Sequence, residues 1–234
     1  MAEQRETAEN GEPVRILAVS DEVVSLLFGA QLKNFVGPVD VLLSCGDLPY
    51  TYLEFLVTQL HVADAFYVHG NHDKPTRCSS GQVLEAPGGW VNMDRRSVKA
   101  QYADLLIAGL EGSIRYKPKA PYQYAQAQMQ LRALRLILQL LFNRVFYGRY
   151  LDIFIAHSPP AGIHDEPNGP HEGFEAFLRL MRWFKPRLFL HGHVHRYGPM
   201  PWHTQYKRTE VANIYPFRVI DLYEDHIEYE RVYL

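Results

Sequence analysis

Residues 66–73 read Phe66-Tyr67-Val68-His69-Gly70-Asn71-His72-Asp73, and this stretch decides the fold. An apolar run typical of a buried strand ends in a glycine turn, which presents an amide, an imidazole and a carboxylate in consecutive positions. A turn residue or a helix cap would satisfy packing there. Strand ends in α/β proteins hold side chains rigidly beside a crevice, so these polar groups predict a functional site.

Four other predicted strands also end in side chains that can bind a metal ion. They span residues 14–19, 39–44, 152–156 and 187–190, and the side chains that follow them are Asp21, Asp47, His157, His193 and His195. In the first seventy residues these strands alternate with helices predicted over residues 24–35 and 48–60. That alternation is typical of a parallel sheet with its ligands at one edge.

The remainder of the chain predicts a second sheet. A strand-like region over residues 83–99 is interrupted by glycines, a strand follows at 105–108, and short strands recur from Thr209 onward. Helices are predicted over 124–146 and 174–184. The longer helix has an apolar stripe at helical spacing: Met129, Leu131, Leu134, Ile137, Leu138 and Leu141. This pattern favours an ordinary core face, and a partner-binding face stays open.

Composition limits the classes of protein to consider. The chain has 234 residues, of which 47% are hydrophobic and 21% charged, as in globular proteins. A net charge of -2 argues against a stable nucleic-acid complex. Two cysteines form no disulfide framework, and no segment has the length of a membrane span, so we expect a cytoplasmic protein without membrane contact. We predict a disordered tail over residues 1–12, with no secretory signal, and a single domain over 13–234.

The predicted strand ends together supply two carboxylates, one amide and three imidazoles. The set is Asp21, Asp47, Asn71, His157, His193 and His195. Mixed oxygen and nitrogen ligands suit manganese, iron or zinc better than calcium. Because six groups exceed the ligands of one zinc ion, they predict two divalent ions that share a carboxylate. Such a centre converts a bridging water to hydroxide and stabilises a phosphoryl group, and His72 is then a candidate general acid.

These residues resemble the motifs of the calcineurin-like metallophosphoesterases, from Val14 to about Asp221. The matching motifs are Asp21, Gly46-Asp47, Gly70-Asn71-His72-Asp73, the lone His157 and Gly192-His193-Val194-His195. The resemblance implies a four-layer αββα sandwich, in which two mixed β-sheets are flanked by helices. It also implies that Asp47 bridges the metals, with Asp21 and His195 completing one site, and that His72 protonates the leaving group. Asn71, His157 and His193 would complete the other site.

The sequence departs from the family pattern at two points. The first motif reads Asp21-Glu22-Val23, so a valine replaces the expected histidine, and we expect the site around Asp21 to be weaker. Glu22 could substitute as a ligand, although alternation along a strand would point it away. The family's phosphatases also often carry an acid shortly after Gly-Asp that orients the histidine acid. Residues 48–50 supply none, so His72 would be less well oriented or held by a backbone carbonyl.

A narrower resemblance covers the segment from His157 to Gly192. Its Pro159-Pro160 pair, with Asp165 and His171 before the next helix, is similar to the small MPPED-type phosphodiesterases. That similarity implies phosphodiester substrates, cyclic nucleotides among them. His171 is either a substrate contact or a helix-start residue. Arg115 is either a phosphate contact or solvated surface. The sequence does not indicate the oligomeric state.

The sequence thus predicts a metal-dependent phosphoesterase acting on a small phosphate ester, with diesters favoured over monoesters. The alternative is a metal-binding scaffold of the same fold with weakened turnover, and Val23 is the residue that supports it.

Overall fold

A computed structural model describes residues 11–77, 81, 83–166, 169–195 and 201–230, and within them two large mixed β-sheets pack together between flanking helices. This arrangement confirms the predicted αββα sandwich. The predicted N-terminal tail falls on residues outside this description, except for Gly11 and Glu12.

The first sheet is built around parallel strands from the N-terminal part of the chain. Its spatial order is β16 (Ile227–Tyr229), β15 (Phe217–Leu222), β1 (Val14–Val19), β2 (Val41–Ser44), β3 (Asp64–Tyr67) and β6 (Val91–Asn92), with elements numbered along the chain. β1, β2, β3 and β6 run parallel, and β15 and β16 add antiparallel pairs at one side. The carboxyl ends of β1, β2 and β3 therefore meet at one edge.

The second sheet repeats this design with strands from the second half of the chain. Its order is β13 (His203–Tyr206), β14 (Thr209–Asn213), β12 (Leu188–His191), β11 (Ile153–Ala156), β8 (Leu106–Leu110) and β7 (Arg96–Lys99). β14, β12, β11 and β8 are parallel, and the outer two strands are antiparallel. Short two-stranded ribbons join β4 (Thr76–Arg77) to β5 (Val83–Leu84) and β9 (Ser113–Ile114) to β10 (Gln123–Tyr124).

Apolar side chains fill the space between the sheets and beneath the helices. Ile16, Leu43 and Phe66 of the first sheet meet Ile107 and Ile155 of the second in a common buried cluster. Helices α1 (Leu32–Val36) and α2 (Tyr50–Leu60) cover the outer face of the first sheet. Helices α3 (Gln126–Tyr147) and α4 (Glu175–Phe184) cover the outer face of the second. Because both faces of each sheet are buried, most residues of the central strands are apolar.

Two predicted elements differ from the observed ones. Turns occupy most of the helix predicted over residues 24–35, and regular helix begins only at Leu32. The region 83–99 divides into β5, β6 and β7, because Gly89 has a positive φ of 79° and Arg95 one of 54°, conformations that end a strand.

The core-face interpretation of the long helix was wrong for four of its six stripe residues. Leu131, Leu134, Leu138 and Leu141 are exposed, while Met129 is buried and Ile137 is partly buried. The buried face is formed instead by Met129, Ala133, Leu136 and Leu140. The helix carries apolar residues on two opposite faces, so periodicity could not show which face is inward.

Candidate metal centre

The polar residues predicted from the strand ends converge on a cavity of about 460 Å³ at the shared edge of the sheets. It is lined by Asp21, Asp47, Asn71, His72, Tyr116, Pro170, His171, His193 and His195. Backbone bonds join the contributing loops: the Asp21 amide donates to Gly46 at 3.0 Å, and the Gly192 amide donates to His157 at 3.0 Å. The two sheets are linked here too, since the His193 amide donates to the Asp21 carboxylate at 2.9 Å.

Asp47, His157 and His193 form the tightest cluster in the described part of the chain that could hold a metal ion. A ligand atom of each lies within 4.8 Å of those of the others. His157 Nε2 is 3.3 Å from Asp47 Oδ2 and 3.0 Å from Asn71 Oδ1. The structure therefore brings four of the six predicted ligands around one point.

The backbone fixes which nitrogen of His157 faces the cluster. Its Nδ1 donates to the Cys45 carbonyl oxygen at 2.7 Å, so Nε2 is directed toward Asp47 and Asn71. This second hydrogen bond is the usual support of a metal-binding imidazole. Burial alone would lower the pKa of His157, but the Asp47 carboxylate raises it to about 9. Burial alone would raise the pKa of Asp47, but the charge of His157 lowers it to about 2.

His193 presents its other nitrogen to the cluster. Its Nε2 donates to the Pro170 carbonyl oxygen at 2.7 Å, which leaves Nδ1 as the nitrogen available to an ion. Burial and the neighbouring His157 charge lower the pKa of His193 to about 3. A neutral imidazole is the form that binds a metal ion.

Three of the predicted ligands have backbone conformations that residues other than glycine rarely adopt. Asp21, Asp47 and His193 have positive φ angles of 66°, 59° and 67°. Such outliers cluster at functional sites, where the surrounding structure holds them. The adjoining glycines leave space for the carboxylates: a Cβ on Gly70 would overlap Asp47 Oδ1, and one on Gly192 would overlap Asp21 Oδ2.

The remaining predicted ligands, Asp21 and His195, lie on the other side of the cavity. His195 Nε2 is 3.6 Å from Asp21 Oδ1, and the His195 ring stacks on Tyr215 with centroids 4.4 Å apart. The Tyr215 hydroxyl donates to Glu22 Oε2 at 2.5 Å. Because Asp21 has a positive φ, strand alternation does not govern Glu22. The Glu22 carboxylate instead contacts the tyrosine on which His195 stacks. Glu22 as a ligand stays a prediction.

His72 and Asp73 have different surroundings. His72 is exposed and lines the cavity, and its amide donates to Asp47 Oδ1 at 2.7 Å. Asp73 is buried and accepts hydrogen bonds from the amides of Gly70 at 2.7 Å and Asp47 at 3.0 Å. Burial and the Asp47 charge raise the pKa of Asp73 to about 6. Asp73 thus joins the loops that carry Asn71 and Asp47.

The two predicted substrate contacts differ in position. His171 lines the cavity, with its Nδ1 2.9 Å from Glu166 Oε2. Arg115 is not among the cavity-lining residues; its guanidinium donates to Gln128 Oε1 at 2.6 Å. The neighbouring Tyr116 lines the cavity instead and accepts a hydrogen bond from Asn71 Nδ2 at 3.0 Å.

Sequence reasoning missed Tyr116 and the carbonyl acceptors of Cys45 and Pro170. A signal for Tyr116 exists, because it lies in the loop that follows a predicted strand end. No sequence signal identifies a backbone carbonyl as the partner of a histidine, since that contact depends on how distant loops pack.

The donor set fits divalent transition-metal ions. It combines carboxylate, amide and imidazole groups, two of the imidazoles have one nitrogen fixed by a carbonyl, and the groups border an open cavity. Oxygen and nitrogen ligands with second hydrogen bonds of this kind are typical of such ions. The profile of the calcineurin-like phosphoesterases matches residues 19–197. The chain belongs to the calcineurin-like phosphoesterase family.

Solved structures agree with this assignment at the level of the fold. One crystal structure aligns over 94% of this chain and 99% of its own length, with a TM-score of 0.62 and 16% identity. The protein TT1561 of Thermus thermophilus aligns over 94% of this chain and 100% of its own, with a TM-score of 0.59 and 17% identity. At these identities the likeness shows the fold alone. No curated protein matches the chain.

Family membership supports a hydrolase of phosphate esters in general, with divalent metal ions as the family's usual cofactors. Within the described residues, no helix is long and apolar enough to cross a membrane.

Proposed function

We propose that this chain is a phosphodiesterase that uses two divalent transition-metal ions, manganese, iron or zinc. The observation that carries the proposal is the convergence of Asp47, His157 and His193, whose ligand atoms lie within 4.8 Å of one another beside an open cavity. A buried cluster of two imidazoles and a carboxylate costs stability unless a ligand or a role compensates for it.

The predicted ligands form two groups. Asn71, His157 and His193 lie with Asp47 and are called the Asp47 side, and Asp21 and His195 are called the Asp21 side. In the proposal, Asn71, His157 and His193 would hold one ion, Asp21 and His195 would hold the other, and Asp47 would serve as a ligand of both. This division is supported by His157 Nε2, which is 3.3 Å from Asp47 Oδ2 and 3.0 Å from Asn71 Oδ1. His195 faces Asp21 instead.

Two bound ions would supply a water nucleophile at neutral pH and would offset the charge of the phosphoryl group. The chain's own residues then hold the ester and handle its proton. His72, exposed at the cavity wall, donates a proton to the departing ester oxygen. Tyr116 and His171 border the same cavity and are positioned to contact the ester substituents.

The charge of the cavity wall favours diesters over monoesters. Among the described residues that line it, none is a lysine or an arginine. A phosphomonoester dianion carries one more negative charge than a diester and is usually bound by such cationic side chains. A diester carries a single negative charge and therefore requires less positive charge from the cavity wall. Small nucleotide esters are among the candidate diesters.

A second candidate is a metal-binding scaffold of the same fold with weakened turnover. It is favoured by Val23, which is 37% exposed at the position where the family's first motif has a histidine. An aliphatic side chain cannot bind a metal ion, so the Asp21 side has fewer ligands than the Asp47 side.

One assay separates the two candidates. The chelator-stripped protein is tested on bis(p-nitrophenyl) phosphate with and without added Mn²⁺, Fe²⁺ or Zn²⁺, while the metal content per chain is measured by elemental analysis. The enzyme proposal expects turnover restored by at least one metal. Two bound ions with no turnover would instead support the scaffold.

The role of His72 requires a separate substrate. The His72→Ala variant should lower kcat by roughly 10²–10⁴-fold on an unactivated alkyl diester, because the poor leaving group needs a proton. On a nitrophenyl diester the loss should be much smaller. Unchanged kcat on the alkyl ester would contradict the acid role.

A further inference from the structure

Helix α3 exposes a regular apolar row on the face opposite the core. Leu131, Leu134, Leu138, Leu141 and Val145 follow one another in steps of three and four residues. All five are exposed, reaching 72% at Leu138 and 77% at Val145. Apolar residues alternating at three and four positions form the heptad pattern through which one helix packs against another.

The described part of the chain leaves this row uncovered. The inward face of α3 already packs on the second sheet through Met129, Leu136 and Leu140. The helix is therefore held in place by one face and presents the other as a fixed surface. Residues 1–10 have no large apolar side chain except Met1, so their composition offers no apolar surface that matches the row.

The exposed area is larger than a monomer usually tolerates. Phe142, Phe146 and Trp183 are between 56% and 62% exposed and extend the row, and Trp183 lines a groove together with Leu134. The whole surface is on the order of 1,000 Å², above the roughly 300–600 Å² of the largest apolar patch on a typical monomer. Each partner of a stable interface contributes about 800 Å².

We propose that the outer face of α3 binds a second copy of this chain, with the two α3 helices antiparallel. A two-fold axis between Leu138 and Leu141 brings Leu138 of each copy against Leu141 of the other. The same axis brings Leu134 against Val145. The row is self-complementary in this arrangement, as an interface with two-fold symmetry requires.

The charges on α3 agree with this pairing. The helix has no acidic residue, and its exposed arginines Arg135 and Arg144 flank the apolar row. About the same axis, Arg135 of one copy meets Phe142 of the other, and Arg144 meets Ile137. Arginine side chains pack favourably on such apolar and aromatic surfaces, so like charges do not face each other. The net charge of -2 causes little repulsion between copies.

The oligomeric state of the full chain tests the proposal. Light scattering should give twice the chain mass of 27.0 kDa at micromolar concentration. Leu138→Glu should raise the dimer dissociation constant by roughly 100-fold or more, because it buries unpaired charges at the centre of the interface. The matched control Val83→Glu, which places the same charge on an exposed apolar position of β5, should stay dimeric.

The direction of the helices is tested by oxidative cross-linking. The double variant Leu134→Cys/Val145→Cys should yield a disulfide-linked dimer, whereas either single variant should not. A disulfide-linked dimer of either single variant would indicate parallel helices and contradict the proposed pairing. Leu138→Glu must keep a cooperative thermal unfolding transition and the wild-type metal content, which shows that it folds. A wild-type chain that is monomeric at 100 μM overturns the proposal. So does a monomer that binds phosphatidylglycerol vesicles through this face, since lipid would then be the occupant.

Discussion

The two sides of the cavity differ in how firmly their side chains are held. On the Asp47 side, His157 is fully buried and both its ring nitrogens are hydrogen-bonded. On the other side, the Asp21 side chain is only 2% exposed, but its partner His195 is 45% exposed and 3.6 Å away. A preorganised ligand set loses less conformational entropy on binding an ion. We therefore expect the Asp47 side to bind its ion more tightly.

The largest expected effect comes from replacing Asp47, the residue that we propose contacts both ions. Asp47→Asn should release both ions and lower kcat/KM by roughly 10³-fold or more, because both ions lose the carboxylate that they are proposed to share. His195→Asn should release only the more weakly bound ion. Elemental analysis after gel filtration measures the difference, and equal losses in the two variants would contradict a shared role for Asp47.

A gain of affinity tests the weaker side directly. Val23→His would restore the histidine of the family's first motif two residues after Asp21. It should tighten binding of the second Mn²⁺ by roughly 10–100-fold without changing the first, since an imidazole replaces a water ligand. Titration calorimetry resolves the two binding steps. Val23→Leu is the size control, and equal affinity in both variants would show that position 23 does not face the ion.

The comparison also shows which parts of the site the sequence could predict. Each proposed ligand follows a strand, and strand-end position can be recognised from an apolar run that stops at a polar residue. The hydrogen bonds that orient the two histidine rings could not be predicted, because the carbonyl groups of Cys45 and Pro170 reach His157 and His193 from distant segments. For the same reason the Tyr116 contact to Asn71 became visible only in three dimensions.

The fold was predictable for its strands and less so for its helix faces. The central strands are mostly apolar and are bounded by turns, which makes them easy to locate. In α3, however, Leu136 faces the core while Leu138 faces solvent, and both have the same chemistry. Only the tertiary arrangement assigns the two faces of such a helix.

A smaller effect is expected from the support of Asn71. Its Nδ2 donates to the Tyr116 hydroxyl, which directs Oδ1 toward His157. Tyr116→Phe removes that bond and should weaken the tightly bound ion by roughly 10-fold, as loss of a supporting hydrogen bond usually does. The Asp21 side should be unaffected. Competition with a fluorescent chelator measures both affinities, and a change on the Asp21 side alone would contradict this assignment.

The smallest expected effect concerns a buried ionic network behind the loop of Asn71. Glu111 accepts hydrogen bonds from His69 at 2.7 Å and Tyr124 at 2.6 Å, and Arg132 donates to it at 3.0 Å. Burial alone would raise the pKa of Glu111, but these partners lower it below its ordinary value. The ionised carboxylate therefore stabilises the fold above the unfolded-state pKa, and that contribution is lost as the pH falls through the folded-state pKa.

Glu111→Gln should consequently reduce the free energy of unfolding by about 1 kcal/mol at pH 7. The difference from wild type should shrink once the pH falls below about 4.3, where the unfolded glutamate is protonated. Urea unfolding at a series of pH values measures it, with the exposed Glu224→Gln as the matched control. A deficit that stays constant down to pH 3 would mean that packing, and not the charge on Glu111, supports this side of the site.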